Sequence, residues 1–238
     1  MNTIKLYGGR TVDIQDYFDW IEQMMLKYPG VISNEKWNTW MGRATTRVTA
    51  GWATHTSIGL GAQHFGDAQW PKAKLTYIDE KRDAMKKGKL LGLRLYLPMN
   101  YQYEAGLDAA LTWSTDIKGK WYDWRGVFYV LYRRLGLTHK ARHITWAWFC
   151  TEGVSKAYVK LSRYVFGKAH AKATPRTVER RGEEGLLKEL RYEGEEVLVS
   201  NGVNSIILGA FSFEPVAFTA ELGERIASSS NRKTVKGA

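Results

Sequence analysis

The sequence predicts an α+β protein in which one helix precedes a group of strands and further helices follow them. Three observations support this prediction. Apolar residues recur at helical spacing in 13–28, alternate with polar residues in short segments between 54 and 98, and return to helical spacing from residue 102. The chain is 44% hydrophobic and 13% aromatic, so it can bury a substantial core.

The first predicted element is a helix over residues 13–28. Pro29 and Gly30 follow it and mark its end. Its apolar face is formed by Ile14, Phe18, Ile21, Met24 and Met25.

The next predicted elements are strands. In "THTSIGLG" (54–61), Thr56, Ile58 and Leu60 alternate with His55, Ser57 and Gly59, which is the period of a strand. Three further segments are predicted as strands: "HFGDAQW" (64–70), "KLTYI" (74–78) and "LLGLRLYLP" (90–98).

Helices are predicted again after the strands, over 102–115 and 122–136. A third helix is predicted to start at Cys150, because Cys150, Val154, Ala157 and Leu161 recur at helical intervals. The cysteine therefore lies in the first turn of this helix, on its inward face.

The division of the chain follows from these elements and from local composition. Residues 1–44 are expected to form an N-terminal helical extension, 45–225 the main domain and 226–238 a disordered tail. Residues 169–196 are highly charged and predict a surface excursion, whereas 197–218 return to β-like apolar segments.

The composition restricts the function classes. A net charge of +11 favours an anionic partner such as nucleic acid, a membrane surface or an acidic wall polymer. The basic residues are dispersed and no nucleic-acid-reading motif is present, so sequence-specific nucleic-acid recognition is not expected. One cysteine excludes an intramolecular disulfide or multi-cysteine zinc site. We also expect synthesis in the cytoplasm without a signal peptide or transmembrane segment.

Cys150 is the first candidate for chemistry. A helix N-terminus and a nearby imidazolium lower the pKa of a thiol, and the N–H groups of the first helical turn can stabilise an oxyanion. The alternative is a structural thiol, because free cysteine is among the most buried residue types.

A cysteine nucleophile needs a histidine base and a polar group that orients it. His139, His143 and His170 lie in basic, loop-like stretches, whereas His55 begins a predicted strand. If 54–70 forms a hairpin, Asp67 and Gln69 lie within reach of His55. The residues alone leave both readings open, a catalytic group or a buried thiol beside an unrelated histidine.

Four segments, in this order, resemble the permuted NlpC/P60 family of papain-like cysteine hydrolases. They are "WATHTSIGLG" (52–61), "GDAQW" (66–70), "GKWYDWRG" (119–126) and "FCTEGVSKAY" (149–158), and "ATPRTV" (173–178) resembles a fifth family element. Two departures are visible. Asp67 stands where the family often has Glu, and Gly153 stands where Leu is usual.

The resemblance implies a circularly permuted papain-like fold, with an antiparallel sheet packed on helices and the cysteine at a helix N-terminus. It implies that Cys150 is the nucleophile, His55 the general base and Asp67 the orienting acid. Tyr122 and Thr151 become candidates for lining the substrate site or assisting the oxyanion, although Tyr122 also suits an aromatic core. His64 and Gln69 are the alternatives to Asp67 as third member.

The resemblance further implies a cysteine peptidase or amidase that acts through a covalent acyl-enzyme on bacterial cell-wall peptides. It implies that no metal or cofactor is needed. Without a signal peptide, delivery by a bacteriophage virion is one hypothesis, with virion or other partners bound by the terminal segments. Two alternatives remain: a catalytically silent structural or adaptor protein with the same fold, and a lipid-directed acyltransferase or thioesterase of the same family.

Overall fold

The computed structural model describes residues 2–6, 9–61, 63–124, 147–158, 166 and 173–192. These residues form an α+β structure with antiparallel sheets, which confirms the predicted class. The helices are α1 (Ile14–Lys27), α2 (Trp40–Thr49), α3 (Ile78–Lys86), α4 (Tyr103–Thr112), α5 (Cys150–Ala157) and α6 (Pro175–Glu183). The longer strands are β3 (Ile32–Trp37), β4 (His55–Gly59), β5 (His64–Ala68), β6 (Ala73–Tyr77), β7 (Leu90–Pro98) and β10 (Leu187–Leu190). Short strands are β1 (Thr3–Lys5), β2 (Thr11–Asp13), β8 (Trp121–Tyr122) and β9 (Ala147–Trp148).

The main sheet has six strands in the order β10-β7-β3-β4-β5-β6, and every neighbouring pair is antiparallel. In this register Glu35 of β3 lies opposite His55 of β4, and Asp67 of β5 lies opposite Lys74 of β6. β1 pairs with β2, and β8 pairs with β9 in a separate parallel pair.

Two apolar clusters flank the main sheet. Leu95 and Tyr96 are adjacent in β7 but belong to different clusters, as expected because successive strand residues point to opposite faces. One cluster contains residues of α1 and α3 together with Phe65, and the other contains residues of α4 and α5 together with Ile58. The helix that starts at Cys150 thus packs on the face opposite α1 and α3.

α1 forms close to the predicted residues. Asp13 caps its N-terminus by accepting a hydrogen bond from the Gln15 backbone N–H, and its apolar side, including Phe18, Ile21 and Met25, is buried. The helix predicted over 102–115 is divided: α4 ends at Thr112, and a π-helical turn (Trp113–Ile117) continues it.

The structure differs from the expected division of the chain in two places. Residues 1–44 are not a separate extension, because β3 lies inside the sheet between β7 and β4. The charged segment 169–196 is not only a surface excursion: within the described part, α6 follows Thr174 and β10 pairs with β7. In β10, Leu187 and Leu190 are buried while the residues between them are partly exposed, so a charged segment still supplies an edge strand.

Several predictions fall outside the described residues. They include the late β-like segments at 197–218, the tail at 226–238 and most of the helix over 122–136. Of that last segment, Tyr122 belongs to β8. Within the described part of the chain, no helix is long and apolar enough to cross a membrane.

Candidate active site

Cys150 is the first residue of α5. Phe149 precedes it in an extended conformation as the N-cap, so the chain turns sharply into the helix at the cysteine. The thiol is largely buried, with 6% of the residue exposed. Its Sγ lies 3.8 Å from Thr151 Oγ1, and the Thr56 backbone N–H contributes to lowering the pKa of the thiol. A thiol at a helix start is in a setting that favours the thiolate.

His55 begins β4 and lies between Cys150 and Asp67. Its Nε2 is 3.0 Å from Asp67 Oδ1, and its ring lies close enough to Cys150 for the two groups to shift each other's pKa. The His55 side chain is 12% exposed, whereas Asp67 is fully buried in β5. The three side chains thus follow one another from the carboxylate to the thiol, which is the order that an orienting acid, a base and a nucleophile require.

The charges of these three groups stabilise one another. Burial lowers the pKa of His55, but hydrogen bonds to Asp67 and Cys150 outweigh it and raise the pKa to about 10. Burial raises the pKa of Cys150, and the hydrogen bond and charge of His55 bring it below its ordinary value. The charged forms of Cys150 and His55 therefore stabilise each other.

A buried lysine contacts Asp67, the orienting partner of His55. Lys81 of α3 has its Nζ 3.1 Å from Asp67 Oδ1, and it also donates to Glu35 Oε1. Burial raises the pKa of Asp67, yet the charges of Lys81 and His55 hold it well below its usual range. Burial likewise lowers the pKa of Lys81, and Asp67 and Glu35 raise it above its usual value.

This cluster resembles a metal site in its ligand types but not in its charge. Glu35, His55 and Asp67 have potential ligand atoms within 4.8 Å of one another. The Lys81 ammonium, however, donates to both carboxylates. Because a cation already neutralises the oxygens that a metal ion would need, we interpret the group as an ion-pair network.

Tyr122 and Thr151, the candidates for the substrate side, both lie near Cys150. Burial and then the charge of Cys150 raise the pKa of Tyr122, so the phenol stays neutral and able to donate. The ring of Tyr122 meets Trp124 edge to face at 5.3 Å. Thr151 is fully buried, and its hydroxyl donates to Thr56 Oγ1 at 3.1 Å, which joins α5 to β4.

The alternatives to Asp67 lie elsewhere. His64, on the same strand, has its ring 4.4 Å from that of Tyr77, and burial and then Lys118 lower its pKa. Gln69 follows the end of β5 and is partly buried. His139, His143 and His170 lie outside the described residues. Among the candidates for the third member, Asp67 is the one that contacts His55 within the described residues.

Sequence reasoning missed Glu35, Ser57 and Lys81 as parts of the site. Ser57 donates to Glu35 Oε1 and lies 3.3 Å from Lys81 Nζ. All three side chains are fully buried. The local sequence gives no signal for Glu35 or Lys81, because Glu35 lies in the largely polar strand "ISNEKW" and Lys81 in the mostly charged helix "IDEKRDAMK".

Another carboxyl group lies close to the nucleophile. Glu152, two residues after Cys150, is 2% exposed. Burial and then the charge of Asp123 raise its pKa to about 8. The side chain is therefore predominantly neutral at pH 7, and it adds little negative charge beside the thiolate.

Trp113 explains why position 153 is a glycine. This fully buried ring lies against Gly66 of β5 and Gly153 of α5. A Cβ at Gly153 would come within 2.8 Å of Trp113 Cζ3, and one at Gly66 within 2.2 Å of Trp113 Nε1. A leucine at position 153 would not fit beside this tryptophan, so the glycine allows α5 to approach the strand that holds Asp67.

No protein-family profile and no curated protein sequence matches this chain.

Proposed function

We propose that this protein is a cysteine hydrolase of the permuted NlpC/P60 type, with a papain-like fold, that cleaves an amide through a covalent acyl-enzyme. The observation that supports this most directly is the series Asp67–His55–Cys150 at the start of α5. The motif resemblance implies the same three residues.

The proposed reaction follows from the positions of these groups. The Cys150 thiolate attacks the carbonyl carbon, and N–H groups of the first turn of α5 stabilise the oxyanion, with the neutral Tyr122 phenol as a further donor. The His55 imidazolium then gives its proton to the leaving amine as the C–N bond breaks. Water, deprotonated by His55, attacks the acyl-enzyme, releases the acid and restores the cysteine.

For the substrate we propose peptides of the bacterial cell wall, and for delivery a bacteriophage virion. The net charge of +11 suits an anionic wall polymer. Incubation with purified peptidoglycan should release new amino and carboxyl termini, and Cys150→Ser should release none. Release of acyl chains from ester or thioester lipids, without peptidoglycan cleavage, would instead identify a lipid-directed enzyme.

Delivery by a virion predicts stoichiometric recovery of the protein in purified particles. Absence of the protein from purified particles would reject the delivery hypothesis.

One observation favours a second candidate, a catalytically silent structural or adaptor protein. Cys150 is only 6% exposed, which is typical of a structural thiol. On this alternative the His55–Asp67 pair serves stability alone, and the thiol stays unreactive in the folded protein.

Thiol alkylation separates the two candidates, because Cys150 is the only cysteine in the chain. We expect iodoacetamide to react with the folded protein at pH 5–6, well below the ordinary thiol pKa of about 8.5. His55→Gln should abolish this early reaction. His64→Gln is the matched control, a histidine one strand away, and should leave it intact. Reaction only after denaturation would support the silent protein and reject the hydrolase.

A further inference from the structure

We propose that Lys81 is a positioning residue of the active site, which keeps the Asp67 carboxylate charged and directed at His55 by neutralising the neighbouring Glu35. This inference rests on the proposed function in so far as it assigns His55 and Asp67 to catalysis. It adds a fourth and a fifth residue, from α3 and β3, to the series that ends at Cys150.

The first argument is the placement of the Lys81 ammonium. Lys81 is fully buried, and its Nζ donates to Asp67 Oδ1 at 3.1 Å and to Glu35 Oε1. The Ser57 hydroxyl lies 3.3 Å away, and the ring centre of Phe65 lies 4.4 Å from the same nitrogen. The oxygen of Asp67 that accepts from Lys81 is the one that faces His55 Nε2.

The second argument concerns what happens without the ammonium. The carboxylate oxygens of Glu35 and Asp67 lie within 4.8 Å of each other. Two buried carboxylates this close cannot both remain ionised at neutral pH, so one of them would take up a proton. Glu35 has other donors: the Ser57 hydroxyl, the Trp37 indole N–H at 2.7 Å and the Ser33 hydroxyl at 3.4 Å. Asp67 depends on His55 and Lys81, with the Thr76 hydroxyl as a further neighbour. The proton would therefore go to Asp67.

The consequence reaches the thiol. A protonated Asp67 no longer stabilises the His55 imidazolium, and a neutral His55 no longer stabilises the Cys150 thiolate. Lys81 thus acts on the nucleophile through Asp67 and His55 without touching substrate. Buried ion pairs are weak contributors to stability in general, so a role in setting the charge of Asp67 accounts for this lysine better than fold stability does.

The test compares Lys81→Met with the double variant Glu35→Gln/Lys81→Met. Lys81→Met keeps the shape of the side chain and removes its charge, so we expect iodoacetamide alkylation at pH 6 to fall by about tenfold or more, the effect of one pKa unit. The double variant also removes the competing carboxylate, so Asp67 should ionise again and the early reaction should return. Lys87→Met, an exposed lysine after the same helix, is the control and should match the unsubstituted protein.

A second readout does not involve the thiol. In a Cys150→Ser background, NMR titration of the His55 ring should show its pKa falling with Lys81→Met and recovering in the double variant. If the unsubstituted protein shows no early alkylation while this NMR pattern holds, the hydrolase proposal fails and the role of Lys81 stands. An unchanged His55 titration in folded Lys81→Met would overturn the role of Lys81. If Lys81→Met does not fold, the double variant is compared with Glu35→Gln alone. Equal alkylation of Cys150 at pH 6 in these two variants supports the proposal. Loss of this early alkylation in the double variant contradicts it.

Discussion

His55 Nε2 and Asp67 Oδ1 lie 3.0 Å apart, although 12 residues separate them in sequence. The contact is possible because β4 and β5 are antiparallel neighbours, with Ile58 opposite Gly66. Asp67 is fully buried and His55 is partly exposed, so the pair connects the interior of the sheet with the thiol at the start of α5. A carboxylate in this position fixes the orientation of the imidazole and stabilises its charged form.

The first prediction concerns the charge of Asp67. Asp67→Asn keeps the size of the side chain but removes the carboxylate, so the raised pKa of His55 should fall towards its ordinary value. The Cys150 thiolate then loses its partner, and alkylation at pH 6 should slow by about tenfold or more. Near pH 9 the rates should converge, because an ordinary thiol is largely ionised there.

Asp83→Asn, an exposed carboxyl on α3, is the control for this experiment. It should leave the rate unchanged at every pH. Equal alkylation rates at pH 6 in Asp67→Asn and the unsubstituted protein would show that the carboxylate does not support the imidazolium.

The second prediction concerns the pH dependence of stability at Glu152. Its pKa in the folded protein is raised to about 8, above the ordinary value near 4.3. The folded state therefore holds a proton that the unfolded state releases. The contribution of the protonated Glu152 to the free energy of unfolding is measured relative to Glu152→Gln. This contribution is fully present below about pH 4 and is lost as the pH rises to about 8. Its size is about 1.36 kcal/mol for each unit by which the pKa is raised. Urea unfolding of both proteins from pH 4 to 8 measures this difference.

Glu104→Gln, at an exposed position in the first turn of α4, provides the comparison. Its unfolding free energy should follow that of the unsubstituted protein across the range. A Glu152→Gln curve that runs parallel to the unsubstituted curve would mean that Glu152 is ionised in the folded state.

The parts of the fold predicted from the sequence are those with a strong local pattern. The spacing of apolar residues in α1 and the alternation in β4 each suffice to identify the element. In contrast, β3 escaped prediction because "ISNEKW" places three polar residues, Ser33, Asn34 and Glu35, at fully buried positions. Their partners come from other strands and helices, so no local pattern reveals that the strand is central.

The same distinction holds for the site. Cys150 and His55 stand at the beginnings of elements with readable patterns, and a hairpin explains why Asp67 is near His55. Lys81 lies in a short helix whose sequence, "IDEKRDAMK", is mostly charged and resembles a solvated surface. Its burial follows from the packing of α3 against α1 and β7, which is tertiary information.

The third prediction tests the fit of Trp113 between the cysteine helix and β5. Gly153→Ala places a Cβ 2.8 Å from Trp113 Cζ3, closer than the ring can accept without a shift. We expect the free energy of unfolding to fall by about 1–3 kcal/mol, as for other overpacked cores. Chemical denaturation measures the loss.

The control is the same substitution in a Trp113→Leu background, where the smaller side chain removes the conflict. There Gly153→Ala should cost much less, since alanine favours the helix over glycine. If the loss is equal in both backgrounds, contact with Trp113 is not its cause.

The fourth prediction concerns the loop that leads into His55. Glu179 of α6 accepts hydrogen bonds from the backbone N–H groups of Ala53 at 2.6 Å and Trp52 at 3.1 Å. Glu179→Ala leaves the buried N–H of Ala53 without this acceptor, which should lower the free energy of unfolding by about 1–3 kcal/mol. Because the loop ends at His55, early alkylation of Cys150 should also weaken.

Glu183→Ala is the matched control on the same helix. Exposed Glu183 pairs with Arg176 at the surface, so its loss should change stability by less than about 1 kcal/mol. Loss of stability without any change in alkylation would show that Glu179 supports the fold but not the position of His55.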